Sequence, residues 1–343
     1  MGVSFTDLIN GTRVGIDELA GKTFVVDGYN ILYQFLTTIR GPDGASLTDR
    51  KGNVTSHLVG LFSRTTKLMQ EGLRLVFVFD GKAPELKKKE RERRKSLKQA
   101  AQAAYDAAKE SEDVAGMRKY AGRTARLTPE MVAEAKELLA ALGIPTIQAP
   151  SEGEAQAAHM VKRGDAWGLI SQDYDCLLFG TPRMVRNLSI TQRRKQPGAF
   201  ATTTAEPEVI TLDDTLSQLS LSQEQLIALG LLVGTDFNVG GIKGLGPKKG
   251  LKLVRAHDDL SMVFKEAHWS EHFDFGWEEA FSLFTDMPVT DVYELRWRGV
   301  DAEAVVALLV DRHDFSADRV GTVLERLAKQ GKDRSQRGLG DFF

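Results

Sequence analysis

The sequence predicts an α/β fold with a mostly parallel central sheet and helices on both faces. Four short runs rich in β-branched and aromatic residues alternate along the chain with helical patterns, and such alternation is typical of parallel sheets. One or two acidic residues follow each run within a few positions. Because the carboxyl ends of parallel strands meet at one edge of a sheet, we expect these acids to lie together there.

Composition limits the classes of protein to which the chain can belong. Its 343 residues are 42% hydrophobic and 27% charged, with a net charge of −2, as in an ordinary globular protein with a large core. The single cysteine, Cys176, excludes an internal disulfide and fits a reducing compartment. The sequence shows neither an apolar run of membrane-spanning length nor a signal peptide. We therefore expect an intracellular, cytoplasmic protein that has no membrane partner.

The first two predicted strands are residues 23–26 and 73–79. Asp27 directly follows the first of them, and Asp80 directly follows the second. Helical patterns and a loop rich in Gly and Asp, near residues 40–52, separate the two strands. This order predicts a strand, a helical crossover and a second parallel strand.

The third predicted strand, residues 144–149, follows a well-marked helix. Thr128 is placed to cap that helix, Pro129 occupies its first position and Gly143 ends it. Glu152 and Glu154 come after the strand. One apolar stripe predicts the buried face of the helix: Met131, Val132, Ala135, Leu138, Leu139 and Leu142.

The fourth predicted strand, residues 166–170, lies within the most informative stretch, residues 151–175. Ser151 is predicted to cap a short helix that Gly164 ends. Asp173 and Asp175 follow the strand. Each acid pair has an ordinary alternative, since Glu154 fits a capping box and the two aspartates fit a turn. The repetition of the pattern along the chain favours a functional role.

The acids at the predicted edge require a positive partner, because like charges in one place repel each other strongly. Oxygen ligands without His or Cys suit Mg²⁺ or Mn²⁺. Several carboxylates can hold two such ions about 4 Å apart, an arrangement that cleaves phosphodiesters. The set includes one acid that follows an apolar helix at residues 226–233, and consists of Asp27, Asp80, Glu152, Glu154, Asp173, Asp175 and Asp236.

A strongly basic stretch, residues 82–98, begins just after Asp80. It holds nine Lys or Arg and three Glu, so basic side chains there could clamp a phosphate beside the acids. The alternative for most of them is a solvated helix with Glu–Lys pairs. Residues 96–125 continue as a polar helical hairpin, which we expect to cover the site.

Two further segments suggest binding. Residues 240–249 form a glycine-rich hairpin with two lysines before a helix, which suits a phosphate backbone, although a bare turn is the alternative. The chain ends in two phenylalanines after a polar stretch. These rings either fold back on the body or anchor in a partner's pocket.

Taken together, these motifs resemble those of the structure-specific 5′ nucleases, and most closely the flap endonucleases of the archaeal type, over nearly the whole chain. The resemblance implies a nuclease with a helical cap, or arch, over its active site and a helix–two-turn–helix element that grips DNA. It implies cleavage of 5′ flaps on branched DNA at the junction of single strand and duplex, with 5′–3′ exonuclease activity. The expected pathways are Okazaki-fragment maturation and base-excision repair.

The resemblance also implies roles for individual residues. The seven acids would be the ligands of two Mg²⁺ ions, with Mn²⁺ as a substitute, and Lys87 and Arg94 would be catalytic contacts of the scissile phosphate. A K⁺ ion could sit at the helix–two-turn–helix. The tail would bind a sliding clamp through Gln336, Leu339, Phe342 and Phe343. The implied DNA-binding residues are Gly2, Tyr33, Lys87, Arg94, Glu152, Gly244, Gly246, Lys248 and Lys249.

We expect a monomer with one nuclease domain, residues 1–330. Its parts would be residues 1–98, a cap at 99–127, residues 128–258 with the hairpin 240–255, and a packing region at 259–330, before a flexible tail at 331–343. Gly250 departs from the family, which often has Ala there.

Three alternative functions stay open at this point. One is a related exonuclease or Holliday-junction resolvase of the same superfamily. Another is a ribonuclease with a similar acidic sheet edge. The third is a clamp-bound DNA-binding scaffold, in which the acids would be merely structural.

Overall fold

The computed structural model describes residues 3, 5–41, 44–188, 193–195, 202–204 and 206–340. Its strands, in chain order, are β1 (Thr12–Arg13), β2 (Thr23–Asp27), β3 (Arg74–Phe79), β4 (Thr146–Gln148), β5 (Gly168–Ile170), β6 (Arg183–Arg186), β7 (Arg193–Lys195), β8 (Thr202–Thr204) and β9 (Glu208–Thr211).

Helices make up most of the remaining regular structure. The α-helices are α1 (Gly28–Thr38), α2 (Ser56–Gln70), α3 (Lys87–Glu110), α4 (Val114–Ala121), α5 (Pro129–Ala141), α6 (Gly153–Lys162), α7 (Asp175–Leu178), α8 (Leu212–Leu219), α9 (Gln223–Val233), α10 (Pro247–Ala256), α11 (Leu260–Glu266), α12 (Trp269–His272), α13 (Trp277–Thr285), α14 (Ala302–Val306) and α15 (Ala317–Gly340). Short 3₁₀ segments occupy Asp17–Leu19 and Gly122–Thr124, and Ala307–Arg312 is π-helical.

Seven strands form one central sheet in the order β1-β9-β6-β5-β2-β3-β4. The five strands from β6 to β4 are mutually parallel, whereas β9 and β1 add antiparallel pairs at one edge. The four strands predicted from the sequence are β2, β3, β4 and β5, and they are consecutive neighbours in this sheet. The prediction of a mostly parallel sheet is confirmed.

Both faces of the sheet are buried, as alternation along the central strands requires. Val25, Val76 and Val78 contribute to one hydrophobic cluster, together with side chains of α6, α9 and α13. Phe24 and Phe77 contribute to a second cluster on the opposite face, with side chains of α1, α2 and α5. This confirms helices on both faces, and it leaves the carboxyl edge of the sheet as the place where loops can build a site.

The predicted N-terminal capping residue is correct for α5 and is one residue too early for α6. Thr128 accepts a hydrogen bond from the Met131 amide, with Pro129 at the first position, and α5 ends as expected. In α6 the prediction that Ser151 is the cap was wrong, because the capping position is Glu152 and its side chain makes no capping bond. The Ser151 hydroxyl instead donates to the Lys82 carbonyl at 2.9 Å. Ser151 therefore joins the loop after β3 to the start of α6.

A long helical hairpin rises from the carboxyl edge. Helix α3 has 24 residues and is largely exposed, with only Glu90, Ala101 and Ala108 buried. The Asp113 side chain caps α4 by accepting from the Gly116 amide. The boundary drawn at residue 98 falls inside α3, because the basic stretch and the first arm of the cap are one continuous helix.

The C-terminal third of the chain packs on the body of the molecule. Phe264, Trp269 and Phe284 enter the first hydrophobic cluster, and Leu308 and Leu309 enter the second. The last helix, α15, includes the backbone of residues 331–340, which form the first part of the predicted tail. Within the described ranges, the search for a helix both long and apolar enough to cross a membrane finds none.

A buried polar group joins this C-terminal part to the N-terminal half. His313 Nδ1 lies 3.1 Å from Asp49 Oδ2, and His313 Nε2 lies 3.1 Å from Glu134 Oε1. His57 Nε2 lies 3.3 Å from Glu134 Oε2. We call these four residues the histidine cluster. They connect the loop before α2, helices α2 and α5, and the segment before α15.

Candidate active site

The acids predicted from the sequence come together at the carboxyl edge of the sheet. Strands β5, β2, β3 and β4 are adjacent and parallel, so the segments that follow them open on the same side. A seventh acid reaches the same place from the loop after α9. All seven line one cavity of about 660 Å³. This set, which we call the acidic cluster, is Asp27, Asp80, Glu152, Glu154, Asp173, Asp175 and Asp236.

Hydrogen bonds of 3.0 Å or less from backbone amides hold three of these carboxylates in place. Asp27 ends β2 and caps α1, since its Oδ1 accepts from the Asn30 amide at 3.0 Å. Asp80 Oδ1 accepts from the Gly153 amide at 2.6 Å, which ties the end of β3 to the start of α6. A side chain at position 153 would place its Cβ 2.7 Å from the same oxygen, so this close approach requires glycine.

The third carboxylate is bound by the N-terminal segment. Asp175 Oδ1 accepts from the Val3 amide at 2.7 Å, and both residues are buried. Val3 therefore lies beside the acidic cluster. Gly2, which was predicted to bind DNA at this place, lies outside the described residues.

Two basic side chains of α3, Lys87 and Arg94, contact the cluster; their predicted contact with a scissile phosphate stays a prediction. Lys87 Nζ forms an ion pair with Glu152 and lies 3.4 Å from Asp236 Oδ2. Arg94 Nη2 donates to Asp236 Oδ1 at 2.7 Å. Asp236 is thus contacted by both cations.

Burial and mutual repulsion disfavour the charged forms of several acids. Burial, and then the charge of Asp80, raises the pKa of Asp27 to about 7. Burial, and then the charges of Asp173 and Asp175, raises the pKa of Glu154 well above its ordinary value. Burial and Asp173 have the same effect on the pKa of Asp175. Such a group of carboxylates stays ionised at neutral pH only if positive charge is brought to it.

Lys87 supplies part of that charge. Burial lowers the pKa of Lys87, but the charges of Glu152 and Asp236 raise it by more, so that the amine stays protonated. Burial, together with the charges of Asp80 and Asp236, keeps the pKa of Glu152 above its ordinary value, and Lys87 offsets part of this rise. The two residues form a buried pair that stabilises the charge of each partner.

The donor chemistry of the cluster fits hard divalent cations. Seven carboxylates without His or Cys suit Mg²⁺ or Mn²⁺ far better than zinc. Among the residues that the structure describes, however, no three of these side chains already form a complete set around a single ion. With the present rotamers, Lys87 and Arg94 take up oxygens of Glu152 and Asp236. A bound cation would compete with them for these oxygens.

Two helices form the basic and polar walls of the cavity. On α3 the lining residues Lys87, Arg91, Arg94 and Lys98 recur at helical spacing, so one face of the basic stretch points into the site. Of these four residues, only Lys87 and Arg94 were predicted from the sequence to contact the phosphate. Since the remaining charges lie on other faces, the idea of a solvated helix is correct for part of the stretch.

Helix α1 contributes a polar stripe to the cavity wall, and only Tyr33 of that stripe was predicted from the sequence. The lining residues Asn30, Tyr33, Gln34 and Thr37 stand at positions i, i+3, i+4 and i+7. This spacing is a readable signal of one polar face on an otherwise apolar helix. The ammonium of Lys98 lies 4.6 Å from the centre of the Tyr33 ring.

The glycine-rich hairpin stands apart from this cavity. Gly244 has a φ of +88°, in the left-handed region that favours glycine, and Gly246 caps α10. Lys248 and Lys249 lie exposed in the first turn of α10. None of these four residues lines the cavity. Gly250 is buried, and a Cβ there would come 2.9 Å from Leu229 Cδ1, so α9 packs closely against it.

The predicted clamp-binding motif is only partly within the described chain. Gln336 and Leu339 lie on the backbone of α15. Phe342 and Phe343 lie outside the described residues. The structure therefore does not test this prediction.

Comparison with known families points to one group of nucleases. Residues 1–101 match the XPG N-terminal domain, and residues 143–236 match the XPG I-region. The two matched regions contain β2 to β5 and all seven members of the acidic cluster. The basic face of α3 lies largely within the first match.

Two curated relatives align over nearly their whole length. Flap endonuclease 1 of Hyperthermus butylicus is 50% identical, covering 99% of this chain and 98% of the relative. Flap endonuclease 1 of Aeropyrum pernix is 49% identical, covering 97% and 96%.

Solved structures agree with these relatives. The flap endonuclease-1 from Methanococcus jannaschii has a TM-score of 0.75 at 40% identity and covers 95% of this chain and 98% of its own. The catalytic core of Rad2 in complex with a DNA substrate has a TM-score of 0.67 at 22% identity, covering 92% and 96%, and shares the fold. By near-complete alignment at half identity, the chain belongs to the flap endonuclease family.

Proposed function

We propose that the chain cuts 5′ flaps at the junction of single strand and duplex by hydrolysing one phosphodiester bond with the help of two divalent ions. The observation that carries this proposal is the acidic cluster, which faces Lys87 and Arg94 within one cavity. Mg²⁺ is the expected ion, and Mn²⁺ is a plausible substitute. When bound, the ions would supply an activated water and offset the charge that develops on the leaving oxygen.

The residues around the ions would orient the DNA. Lys87 and Arg94 would hold the scissile phosphate through charge-assisted hydrogen bonds, and so act as catalytic residues. The phenol ring of Tyr33, half-buried in the wall formed by α1, would stack on a base beside that phosphate. The seven members of the acidic cluster would share the two ions, and Glu152 and Gly2 would also lie along the DNA path.

The hairpin before α10 would grip the duplex away from the cut. Gly244 and Gly246 allow the backbone amides to approach phosphates closely, and Lys248 and Lys249 add positive charge. Such contacts position the duplex without reading its sequence. A K⁺ ion at this helix–two-turn–helix would add to the attraction.

The wider setting of the enzyme is also proposed. Residues 1–330 would act as one monomeric nuclease domain in the cytoplasm, on chromosomal DNA of the nucleoid. The expected tasks are Okazaki-fragment maturation and base-excision repair, with 5′–3′ exonuclease activity on suitable ends. The residues that would dock on a sliding clamp are Gln336, Leu339, Phe342 and Phe343.

The decisive test is cleavage of an end-labelled duplex that carries a 5′ flap, with Mg²⁺ and with EDTA. A single Mg²⁺-dependent cut near the base of the flap is expected, while a blunt duplex, a single strand and an RNA of the same sequence are spared. Degradation from free ends without a cut at the base of the flap, or cutting of RNA alone, would move the function to a relative. Absence of any cutting would favour a DNA-binding scaffold.

The metal assignment has its own test. Asp80→Ala should abolish cleavage and leave binding of the flap substrate largely intact, since Asp80 contributes charge to the ion site and not to the duplex grip. Fluorescence anisotropy with Ca²⁺ in place of Mg²⁺ measures binding without relying on turnover. Cleavage retained by this variant would overturn the assignment.

The clamp proposal is tested by removing residues 336–343. Basal cleavage should stay unchanged, because the truncation keeps the acidic cluster, Lys87 and Arg94, and stimulation by the clamp should be lost. Doubly substituting Phe342 and Phe343 with Ala is the matched control for helix length. Stimulation that survives both changes would contradict the proposal.

A further inference from the structure

Glu90 is a buried carboxylate on a helix that is otherwise mostly exposed. Its side chain is 2% exposed, although most of α3 faces solvent. Glutamate is almost never this buried unless it has a partner. Glu90 stands one turn before Arg94, at the base of the helical hairpin.

The partners of Glu90 are two neighbouring arginines. Its Oε1 accepts from Arg94 Nε at 2.6 Å. It also accepts from Arg93, at 2.7 Å from Nε to Oε2 and at 2.9 Å from Nη2 to Oε1. Burial raises the pKa of Glu90, but hydrogen bonds from Arg93 and Arg94 lower it by more, so that the carboxylate stays charged.

The contact with Arg94 fixes the direction of a side chain that lines the active site. Arg94 Nε is held by Glu90, and Arg94 Nη2 donates to Asp236 at 2.7 Å. The guanidinium is planar, so contacts at two of its nitrogens determine the plane and aim of the whole group. A phosphate that displaces Asp236 would still meet an arginine anchored from behind by Glu90.

We propose that Glu90 is a positioning residue for flap cleavage, which holds the Arg94 guanidinium toward the scissile phosphate and acts on DNA only through it. The inference rests on the proposed contact between Arg94 and that phosphate. The competing explanation is a purely structural one, in which Glu90 stabilises the first turn of α3 through its charge and its i, i+4 pair. The two explanations differ in whether the effect of Glu90 depends on Arg94.

The experiment is a double-mutant cycle of Glu90→Ala and Arg94→Ala in the full chain. The readouts are single-turnover cleavage at saturating enzyme, the Kd for the flap substrate, and thermal unfolding. We expect Glu90→Ala to slow cleavage by roughly 10- to 100-fold, the scale of a misplaced catalytic group. In the Arg94→Ala background the same change should have no further effect, because the group that it positions is already gone.

Two further variants separate positioning from folding. Arg93→Ala removes the other partner of Glu90 and leaves the Arg94 contact, so cleavage should stay within about twofold of the parent rate. Glu90→Gln keeps an oxygen that can accept from Arg94 Nε and should recover part of the rate lost in Glu90→Ala. The Kd should change little in either Glu90 variant.

The outcomes are distinguishable. Glu90→Ala that slows cleavage equally with and without Arg94 overturns the inference and leaves a structural role. Normal cleavage by Glu90→Ala, beside slow cleavage by Arg94→Ala, overturns the inference alone. Normal cleavage by Arg94→Ala overturns the phosphate contact, and the inference with it, while the metal-dependent flap activity is judged separately by the Asp80 test.

Discussion

The acidic cluster and the histidine cluster are both largely buried groups of ionisable side chains. They differ in the partners that their carboxylates have. In the histidine cluster, each carboxylate has an imidazole nitrogen within 3.3 Å. The acidic cluster consists of carboxylates only and borrows positive charge from α3. The first gives each carboxylate an imidazole neighbour of its own, whereas the second consists of carboxylates that need cations from elsewhere. A buried group of carboxylates alone therefore favours a site that binds cations, and carboxylates that neighbour imidazoles favour a structural joint.

The largest effect on the cleavage rate is expected from Asp175→Asn, a nearly isosteric change in the acidic cluster. Cleavage should fall by roughly 10³-fold or more, the scale on which a major electrostatic contribution is lost. The thermal unfolding midpoint in EDTA should be unchanged or higher, because the change removes a buried charge that faces Asp173. Single-turnover kinetics and calorimetry on the same samples check both statements. A clearly lower midpoint would show that this carboxylate is structural.

The opposite result is expected from Glu134→Ala in the histidine cluster. The change leaves both imidazoles without their shared carboxylate, and leaving a buried polar group without its partner costs about 1–3 kcal/mol. Urea unfolding should show this loss, while the cleavage rate of the folded variant stays close to that of the parent. Arg312→Ala is the matched control, since it disrupts an exposed pair with Glu137 on the same helix α5. Equal destabilisation by the control would remove the special status of the cluster.

A smaller change in the free energy of unfolding is expected when the pH is varied, because His57 titrates differently in the folded and unfolded chain. Burial, and then the charge of His313, lowers the pKa of His57 from 6.5 to about 4. The unfolded chain therefore binds more protons between these values, so that this contribution to stability is complete above pH 6.5 and is lost as the pH falls toward 4. Between pH 7.5 and pH 5 the loss is about 2 kcal/mol.

Subtracting the pH dependence of a variant without His57 from that of the parent separates the contribution of His57 from those of the other titrating groups. The free energy of unfolding is measured across this range for the parent and for His57→Asn, and the difference between the two curves should change with pH as stated. A difference that stays constant from pH 7.5 to pH 5 would contradict the assignment. The acidic cluster has the opposite sign, since the raised pKa of Asp27 makes the folded state the better proton acceptor.

The comparison also explains what could be predicted from the sequence. The members of the acidic cluster other than Asp236 could be predicted because each follows a strand. Parallel strands end at one edge of a sheet, so acids that are far apart in the sequence come close together in space. Only Asp236 had a weaker signal, since it follows a helix. The polar stripe of Asn30, Gln34 and Thr37 could also have been predicted from its spacing. It was missed on a helix whose buried residues are mostly apolar.

The histidine cluster could not be predicted in this way. Its members stand at positions 49, 57, 134 and 313, in segments with no shared pattern. The packing of α2 on α5 and that of the C-terminal region bring them together. The cap of α6 was misjudged for a related reason. Ser151 has the right residue type for a cap, but the loop after β3 offers its hydroxyl a tertiary partner, the Lys82 carbonyl, and tertiary contacts override local preference.

Helix α3 has a mechanical consequence. It is continuous from Lys87 to Glu110, which makes it a rod about 36 Å long. Lys87 and Arg94 sit near its lower end, and the turn to α4 is at its upper end. No break separates the two ends, so the exposed outer part of α3 and the residues that contact the acidic cluster belong to one stiff element. A force on the outer part would therefore act on Lys87 and Arg94 through a single continuous helix.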